Sequence, residues 1–334
     1  METSLMNKSS LLKQSPEKTY NYKKWLVACQ IVTSLLCVGL LWLSFCLVRY
    51  SFYRKKLKLT KKSVFKPKNA MIVLAIMSPI AAFLRSFSTQ MIIFVGNHPE
   101  YFGSSACEVT MDVSLVLYCF TLLPVYLFIW CRQKTIYSQP VMKQFNTGLV
   151  NLLSKSFVFS FVFGGVFSLY VAVEPKSYVN SPQNKSAGCV LESSNGTNIT
   201  SVRHFSNYMA AAIVVTSQML LLGLLLNPLL KQSRFSCGVK KSRCQRKLLR
   251  VVRKASVCTA VCISSQVAAT ALTTSDVIPQ SYPRVVSYVI YDVSLFVQVG
   301  CVVLCFEDSC AILRNKKLKA ARNFSEVSTV STRL

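Results

Sequence analysis

A long apolar run separates Cys107 from Arg132 and ends in the polar sequence Trp130-Cys131-Arg132-Gln133-Lys134. The 25 residue steps between Cys107 and Arg132 would extend roughly 37 Å as an α-helix, at about 1.5 Å per residue. This length covers the ~30 Å hydrocarbon core of a bilayer and reaches the interface on both sides. The run therefore predicts a membrane helix with Cys107 at one mouth and Arg132 at the other.

This helix is one of seven apolar segments of membrane length. The seven predicted spans are Trp25–Val48, Ala70–Val95, Val109–Trp130, Phe157–Val173, Tyr208–Leu230, Ala255–Thr274 and Val285–Leu304. We therefore predict an all-α membrane protein. A seven-transmembrane helix bundle occupies residues 25–304, between an amino-terminal tail at 1–24 and a carboxyl-terminal tail at 305–334.

The basic residues are distributed unevenly among the loops. Segments 49–69, 131–156, 231–254 and 305–334 hold 29 of the 39 Lys and Arg residues, whereas the loops on the other side hold four. The positive-inside rule makes the richer set cytoplasmic. The five lysines of the amino-terminal tail oppose this assignment, but the balance puts that tail outside and the carboxyl terminus inside. We expect a multi-pass protein of the plasma membrane.

The clustering of the basic residues indicates what kind of molecule they contact. A net charge of +27 often indicates nucleic-acid binding, but here the basic residues lie between long apolar runs. We therefore expect contacts with anionic membrane lipid and no nucleic acid.

Acceptor triplets for N-glycosylation agree with this topology. They occur at Asn7, Asn184, Asn195 and Asn198, all in segments that the charge distribution makes extracellular. A fifth, at Asn323, falls in the cytoplasmic tail and is expected to be inert.

The cysteines agree as well. Of the 14 cysteines, only Cys107 and Cys189 fall in extracellular positions. Two cysteines in an oxidising compartment, with no others there, indicate a disulfide. The alternative is that both remain as thiols.

In these features the chain resembles the rhodopsin-like (class A) G-protein-coupled receptors. The shared features are seven helices, a glycosylated outer tail, a bridge from the third helix to the second outer loop, and an arginine at the inner end of the third helix. The spacing from Cys107 to Arg132 is the one that the family shows. The resemblance implies that Arg132 faces a cytosolic transducer, a heterotrimeric G protein or arrestin.

The arginine of that family normally sits in an Asp-Arg-Tyr triplet. Here the triplet is Cys131-Arg132-Gln133, so the acidic neighbour that restrains the arginine is missing. Leu74-Ala75 followed by Ser78 is similar to the second-helix pattern of the family, with serine in place of aspartate.

Arg85 is the most costly side chain in the predicted bilayer. An arginine at mid-helix costs roughly 2.5–3.5 kcal/mol on insertion scales, so it should face the bundle and be paired. The candidate partners are Asp292 and Asp112. Three interpretations are open: outward snorkelling, an ion pair between helices, and direct binding of an acidic ligand group.

Amide side chains lie inside four of the predicted helices: Gln90, Gln218, Gln266 and Gln298. Such groups commonly hydrogen-bond between helices. The alternative interpretation is that Gln218 and Gln266 line a ligand pocket. In that case Arg85, Asp112 and Asp292 line the same pocket.

The sequence does not indicate an enzyme. Asp112 and Asp292 invite comparison with an intramembrane aspartyl protease, in which two carboxylates share a proton. However, Asp112 follows Met111 rather than the Gly-x-Gly that such enzymes carry. No His-Glu-x-x-His zinc motif occurs, and we expect neither a metal nor a cofactor.

The carboxyl-terminal tail carries two further motifs. Asp308–Ala321 has the composition of a short amphipathic surface helix. The final residues place Thr332 and Leu334 in the Thr-x-Leu pattern that adds as a strand to a PDZ domain.

The leading interpretation is a G-protein-coupled-receptor-like protein at the cell surface, which transduces an unknown extracellular ligand to cytosolic partners. The alternative is a non-signalling seven-helix protein, such as a transporter, a channel subunit or a trafficking partner.

Overall fold

The described residues cover most of the predicted membrane domain. A computed structural model describes residues 16–53, 67–98, 101–102, 104–138, 147–173, 178–180, 189–191, 212, 215–224, 226–227, 243–274 and 285–306. The helices are α1 (Pro16–Tyr53), α2 (Pro67–Asn97), α3 (Ser104–Tyr137), α4 (Gly148–Val173), α5 (Val215–Leu224), α6 (Arg243–Thr274) and α7 (Val285–Leu304). Two short strands, β1 (Tyr178–Asn180) and β2 (Cys189–Leu191), pair antiparallel.

Six of these helices, α1 to α4, α6 and α7, are long and apolar enough to cross a membrane. The prediction of a helical, multi-pass membrane protein is confirmed to that extent. Helix α5 is also apolar but has ten described residues, less than half of the predicted span Tyr208–Leu230.

Two helices begin earlier than the predicted spans, and two strands are present that were not predicted. Helix α1 begins at Pro16, inside the segment that was assigned to the amino-terminal tail. Helix α4 begins at Gly148 rather than Phe157. The polar Ser154, which precedes the predicted span, lies within this helix and is buried against α3. The strands β1 and β2 were not predicted, since three-residue strands are too short to show an alternating pattern.

Helix α7 contacts four other helices of the bundle, as does α3. It packs against α1, α2, α3 and α6, while α2 also contacts α1 and α3. A single large cluster of buried apolar side chains runs through these helices, and its largest fully buried members are Tyr126, Phe128, Phe157 and Leu40.

The bundle has two distinguishable ends. At the first, here called the Cys107 end, Cys107 and Met111 of α3 pack with Ile92 and Val95 of α2. At the opposite end, here called the Arg132 end, the Tyr137 hydroxyl donates to the carbonyl of Leu224, 2.8 Å away. Helices α2 and α3 therefore run in opposite directions, and α3 and α5 run in the same direction.

The outer surface of the bundle is apolar. Large side chains such as Leu35, Val38 and Phe159 are about two-thirds exposed or more, at 67%, 67% and 72%. Helices satisfy their own backbone hydrogen bonds, which is what a segment without water around it requires. The exposed apolar surface suits contact with lipid.

Candidate functional site

The most deeply buried charges in the described part of the chain are Arg85 on α2 and Asp292 on α7. Their side chains are 3% and 0% exposed, and Arg85 Nε lies 3.7 Å from Asp292 Oδ1. Arg85 therefore does not snorkel to the surface. Of its two candidate partners, the structure gives the ion pair to Asp292. Asp112 is half-buried on α3.

The guanidinium of Arg85 also contacts α3. Its Nη1 donates to Oγ of Ser114 and, over 3.1 Å, to Oγ1 of Thr89 on its own helix. Two aromatic rings flank it, with centroids 5.4 Å away at Tyr288 and 6.0 Å away at Tyr118. These distances are within the range of cation–π attraction. Arg85 thus joins α2, α3 and α7.

Sequence reasoning missed the hydroxyl and aromatic partners of Arg85. Residues four apart on a helix share a face, and the site uses three such pairs: Arg85 with Thr89, Ser114 with Tyr118, and Tyr288 with Asp292. A search for polar or amphipathic residues spaced by four within each apolar run would have found them.

The ion pair keeps unused hydrogen-bonding capacity. Within the described residues, neither carboxylate oxygen of Asp292 has a well-aligned hydrogen-bond partner, although the Thr89 side chain lies close to it, and Nε of Arg85 has none. Buried carboxylates are normally saturated with donors. The attraction between Arg85 and Asp292 is therefore mainly one of charge, and the pair can still accept or donate hydrogen bonds.

Tyr118 connects this ion pair to a second polar network. Its hydroxyl accepts from Nε2 of Gln266 on α6 at 2.6 Å. Oε1 of the same amide accepts from Nε2 of Gln298 on α7 at 2.9 Å, and Ser294 lies beside both glutamines. The Tyr118 and Tyr291 rings meet edge to face, 5.4 Å apart. A continuous polar core therefore links α2, α3, α6 and α7.

The other intramembrane amides also bond between helices. Gln90 on α2 donates to the carbonyl of Gln30 on α1 at 2.9 Å, and to the Thr33 hydroxyl. Gln218 on α5 donates to the Tyr126 hydroxyl on α3. The prediction that the four glutamines hydrogen-bond between helices is confirmed. Gln218 lies outside the Arg85 network, so the five predicted pocket residues do not form a single group.

Arg132 lies half-buried near the other end of α3. Its Nε is buried and has no hydrogen-bond partner among the described residues. No acidic side chain of the described residues forms an ion pair with Arg132. Two neighbouring residues do have partners. Nε1 of Trp130 donates to Ser154 Oγ at 2.9 Å, and Lys134 Nζ lies 4.2 Å from the Trp130 ring centroid.

Cys107, at the opposite end of α3, is disulfide-bonded. Strand β2 begins at Cys189 and contacts both α2 and α3. Cys189 faces Asn180 of strand β1, which also contacts α3. The pairing of Cys107 with Cys189 stays a prediction.

Several predicted sites lie outside the described residues. These are the glycosylation acceptors Asn7, Asn184, Asn195 and Asn198, the Asp308–Ala321 helix, and the tail residues Thr332 and Leu334. Within the described residues, no group of three or more His, Cys, Asp or Glu side chains is placed to hold a metal ion.

Six apolar spans around a buried polar core define the chain as a multi-pass helical membrane protein. No protein-family model matches its sequence, and no curated protein is significantly similar to it.

Proposed function

We propose that this protein is a seven-helix cell-surface receptor similar to the rhodopsin-like G-protein-coupled receptors, with its amino terminus outside and its carboxyl terminus in the cytoplasm. In this assignment the Cys107 end is extracellular, the Arg132 end is cytoplasmic, and α5 belongs to the fifth span.

One observation carries the proposal. Helix α3 has a disulfide-bonded cysteine near one end and an arginine near the other, and that arginine has neither an acidic partner nor a hydrogen bond at Nε within the described residues. A half-buried cation costs free energy unless it is paired. Arg132 is therefore suited to bind an acceptor group from a cytosolic partner.

The polar core is the ligand-responsive part of the proposed receptor. Arg85 and Asp292 join three helices, yet both retain unused hydrogen-bonding atoms. An acidic ligand group that reached Arg85 would compete with Asp292 and weaken the link between α2 and α7. A differential interaction of ~1.4 kcal/mol with two conformations is enough to change their ratio tenfold.

The test compares the native chain with Arg132→Ala in cells at matched surface expression, with G-protein activation and arrestin recruitment as readouts. We expect basal signalling from the native chain, because no acidic neighbour restrains Arg132, and loss of that signal in Arg132→Ala. Lys134→Ala is the matched control, since it removes a cation two residues away that already contacts Trp130.

A native chain without basal or ligand-driven signal in either pathway would contradict the proposal. If Arg132→Ala then reduced only folding or surface delivery, Arg132 would be an anchor at the membrane interface. A non-signalling transporter, channel subunit or trafficking partner would become the better assignment.

A further inference from the structure

Four cysteines face one another between α6 and α7. Cys258 and Cys262 lie one turn apart on α6, and Cys301 lies on α7 one turn before Cys305, which follows its last residue. Residues four apart share a helix face. All four side chains are buried in the same core cluster, and none is disulfide-bonded.

The two pairs of thiols lie close together across the two helices. The Cys258 thiol is within hydrogen-bonding reach of both Cys301 and Cys305, and Cys301 is also within reach of Cys262. Cys258 and Cys301 therefore each lie near both cysteines of the facing helix. Isolated buried cysteines behave as small apolar side chains, but two facing pairs also bring reactive sulfur atoms together.

The cluster lies beside positive charge. Arg132 acts electrostatically on Cys258 and Cys305, and Lys254 acts on Cys258. Cys258 is also the most exposed of the four, at 8%.

We propose that Cys258 and Cys301 form a reversible disulfide that joins α6 to α7 when the protein meets hydrogen peroxide. The Cys258 thiolate attacks one peroxide oxygen, the O–O bond breaks, and a sulfenic acid and hydroxide form. The Cys301 thiol then attacks the sulfenic sulfur, and its proton leaves with the sulfenic oxygen as water. In total two thiols are oxidised, one peroxide is reduced and two waters are released. A dithiol reductant reverses the bond by thiol–disulfide exchange.

The bond would fix the relative position of α6 and α7 near Arg132. Such a covalent link would form in any protein with this arrangement of cysteines, whether or not the protein is a receptor.

Trypsin gives a direct test because it separates the two pairs of cysteines. Cleavage after Lys254, Arg284 and Arg314 places Cys258 and Cys262 in peptide 255–284, and Cys301, Cys305 and Cys310 in peptide 285–314. Membranes that contain the full chain are treated with hydrogen peroxide, remaining thiols are alkylated, and the non-reduced digest is sequenced by tandem mass spectrometry.

We expect a linked peptide whose fragments connect Cys258 to Cys301, and its disappearance after treatment with dithiothreitol. The link should be lost in Cys258→Ser and in Cys301→Ser, and kept in Cys37→Ser, a control on α1. Sequencing the native linked peptide requires no variant, so a poorly folding substitution does not weaken the test.

Three results would overturn the assignment. These are alkylation of both Cys258 and Cys301 after peroxide treatment, their conversion to sulfinic or sulfonic acids without a linked peptide, and a linked peptide of the native chain whose fragments connect a different pair of cysteines.

Discussion

Nε of Arg85 lies 3.7 Å from Oδ1 of Asp292, and this pair joins α2 to α7 where the surrounding side chains exclude solvent. An unpaired arginine at this depth would cost roughly 2.5–3.5 kcal/mol on insertion scales. Arg85 and Asp292 therefore depend on each other, since either one alone leaves an uncompensated charge inside the bundle.

Removing either partner should strongly destabilise the protein. Arg85→Ala and Asp292→Ala should each lower the free energy of unfolding, by about 3–5 kcal/mol if the remaining charge stays buried. The double variant should lose clearly less than the sum of the two, because it leaves neither charge unpaired. Denaturant unfolding of the purified protein in detergent measures all three values.

Asp112 provides the matched control for this cycle. It is half-buried on α3 and was the alternative partner that the sequence allowed. Asp112→Ala combined with Arg85→Ala should give additive losses. Coupling with Asp112, together with additive losses for Asp292, would mean that the ion pair has been assigned to the wrong carboxylate.

The comparison of Asp112 with Asp292 also shows what could be predicted from the sequence. The need for a buried partner follows from the cost of an arginine in an apolar run, and the apolar runs themselves give the helices. Helix α7 has both of its predicted ends. The choice between two carboxylates depends on how the helices rotate about their axes, which the spacing within a single helix does not determine.

Other features escaped sequence analysis for related reasons. Tyr118, Tyr288 and Ser114 are ordinary members of apolar membrane helices until the packing of three helices brings them around Arg85. The start of α4 was misplaced because Ser154 and Lys155 interrupt its apolar run, although Ser154 packs against Trp130. Contacts between distant segments decide these cases.

The bond between Gln266 and Tyr118 should contribute measurable coupling between α6 and α3. Gln266→Leu and Tyr118→Phe each remove one side of a 2.6 Å hydrogen bond. Interhelical hydrogen bonds in membrane proteins average about 0.6 kcal/mol and reach about 1.7 kcal/mol, so we expect a coupling in this range. Double-mutant unfolding experiments measure it.

Tyr126 offers the control for this second cycle, because its hydroxyl bonds to Gln218 rather than Gln266. Gln266→Leu with Tyr126→Phe should therefore be additive. An equal coupling energy in both cycles would indicate a general destabilisation of the bundle rather than a specific hydrogen bond.

The disulfide of Cys107 should have Cys189 as its partner. Non-reducing peptide mapping of the surface-expressed protein should recover the two cysteines linked. Cys107→Ser and Cys189→Ser should each reduce surface delivery, since the bond holds the segment that contains β2 against α3. Cys119→Ser, which alters a free cysteine of the same helix, should leave the linked peptide unchanged. A free Cys189 thiol in surface protein would contradict the pairing.

Gly39 marks the closest approach of α1 to α7 among the described glycines. A Cβ atom at this position would lie 2.9 Å from Cε2 of Phe296 and 3.3 Å from its Cζ, whereas carbon atoms in contact normally lie about 3.5–4.0 Å apart. Gly39→Ala should therefore force the ring or the helix to move. Overpacking of this kind costs about 1–3 kcal/mol, which outweighs the gain of up to about 1 kcal/mol from replacing glycine in a helix.

Gly300→Ala on α7 separates these two effects, because a Cβ there would meet nothing within 4 Å. We expect Gly300→Ala to be neutral or stabilising in thermal unfolding, and Gly39→Ala to lower the melting temperature. Phe296→Leu should reduce the loss when it is combined with Gly39→Ala, because the shorter side chain leaves room for the new methyl group. If Gly39→Ala is as stable as Gly300→Ala, then α1 and α7 do not approach each other as closely as the contact between Gly39 and Phe296 requires.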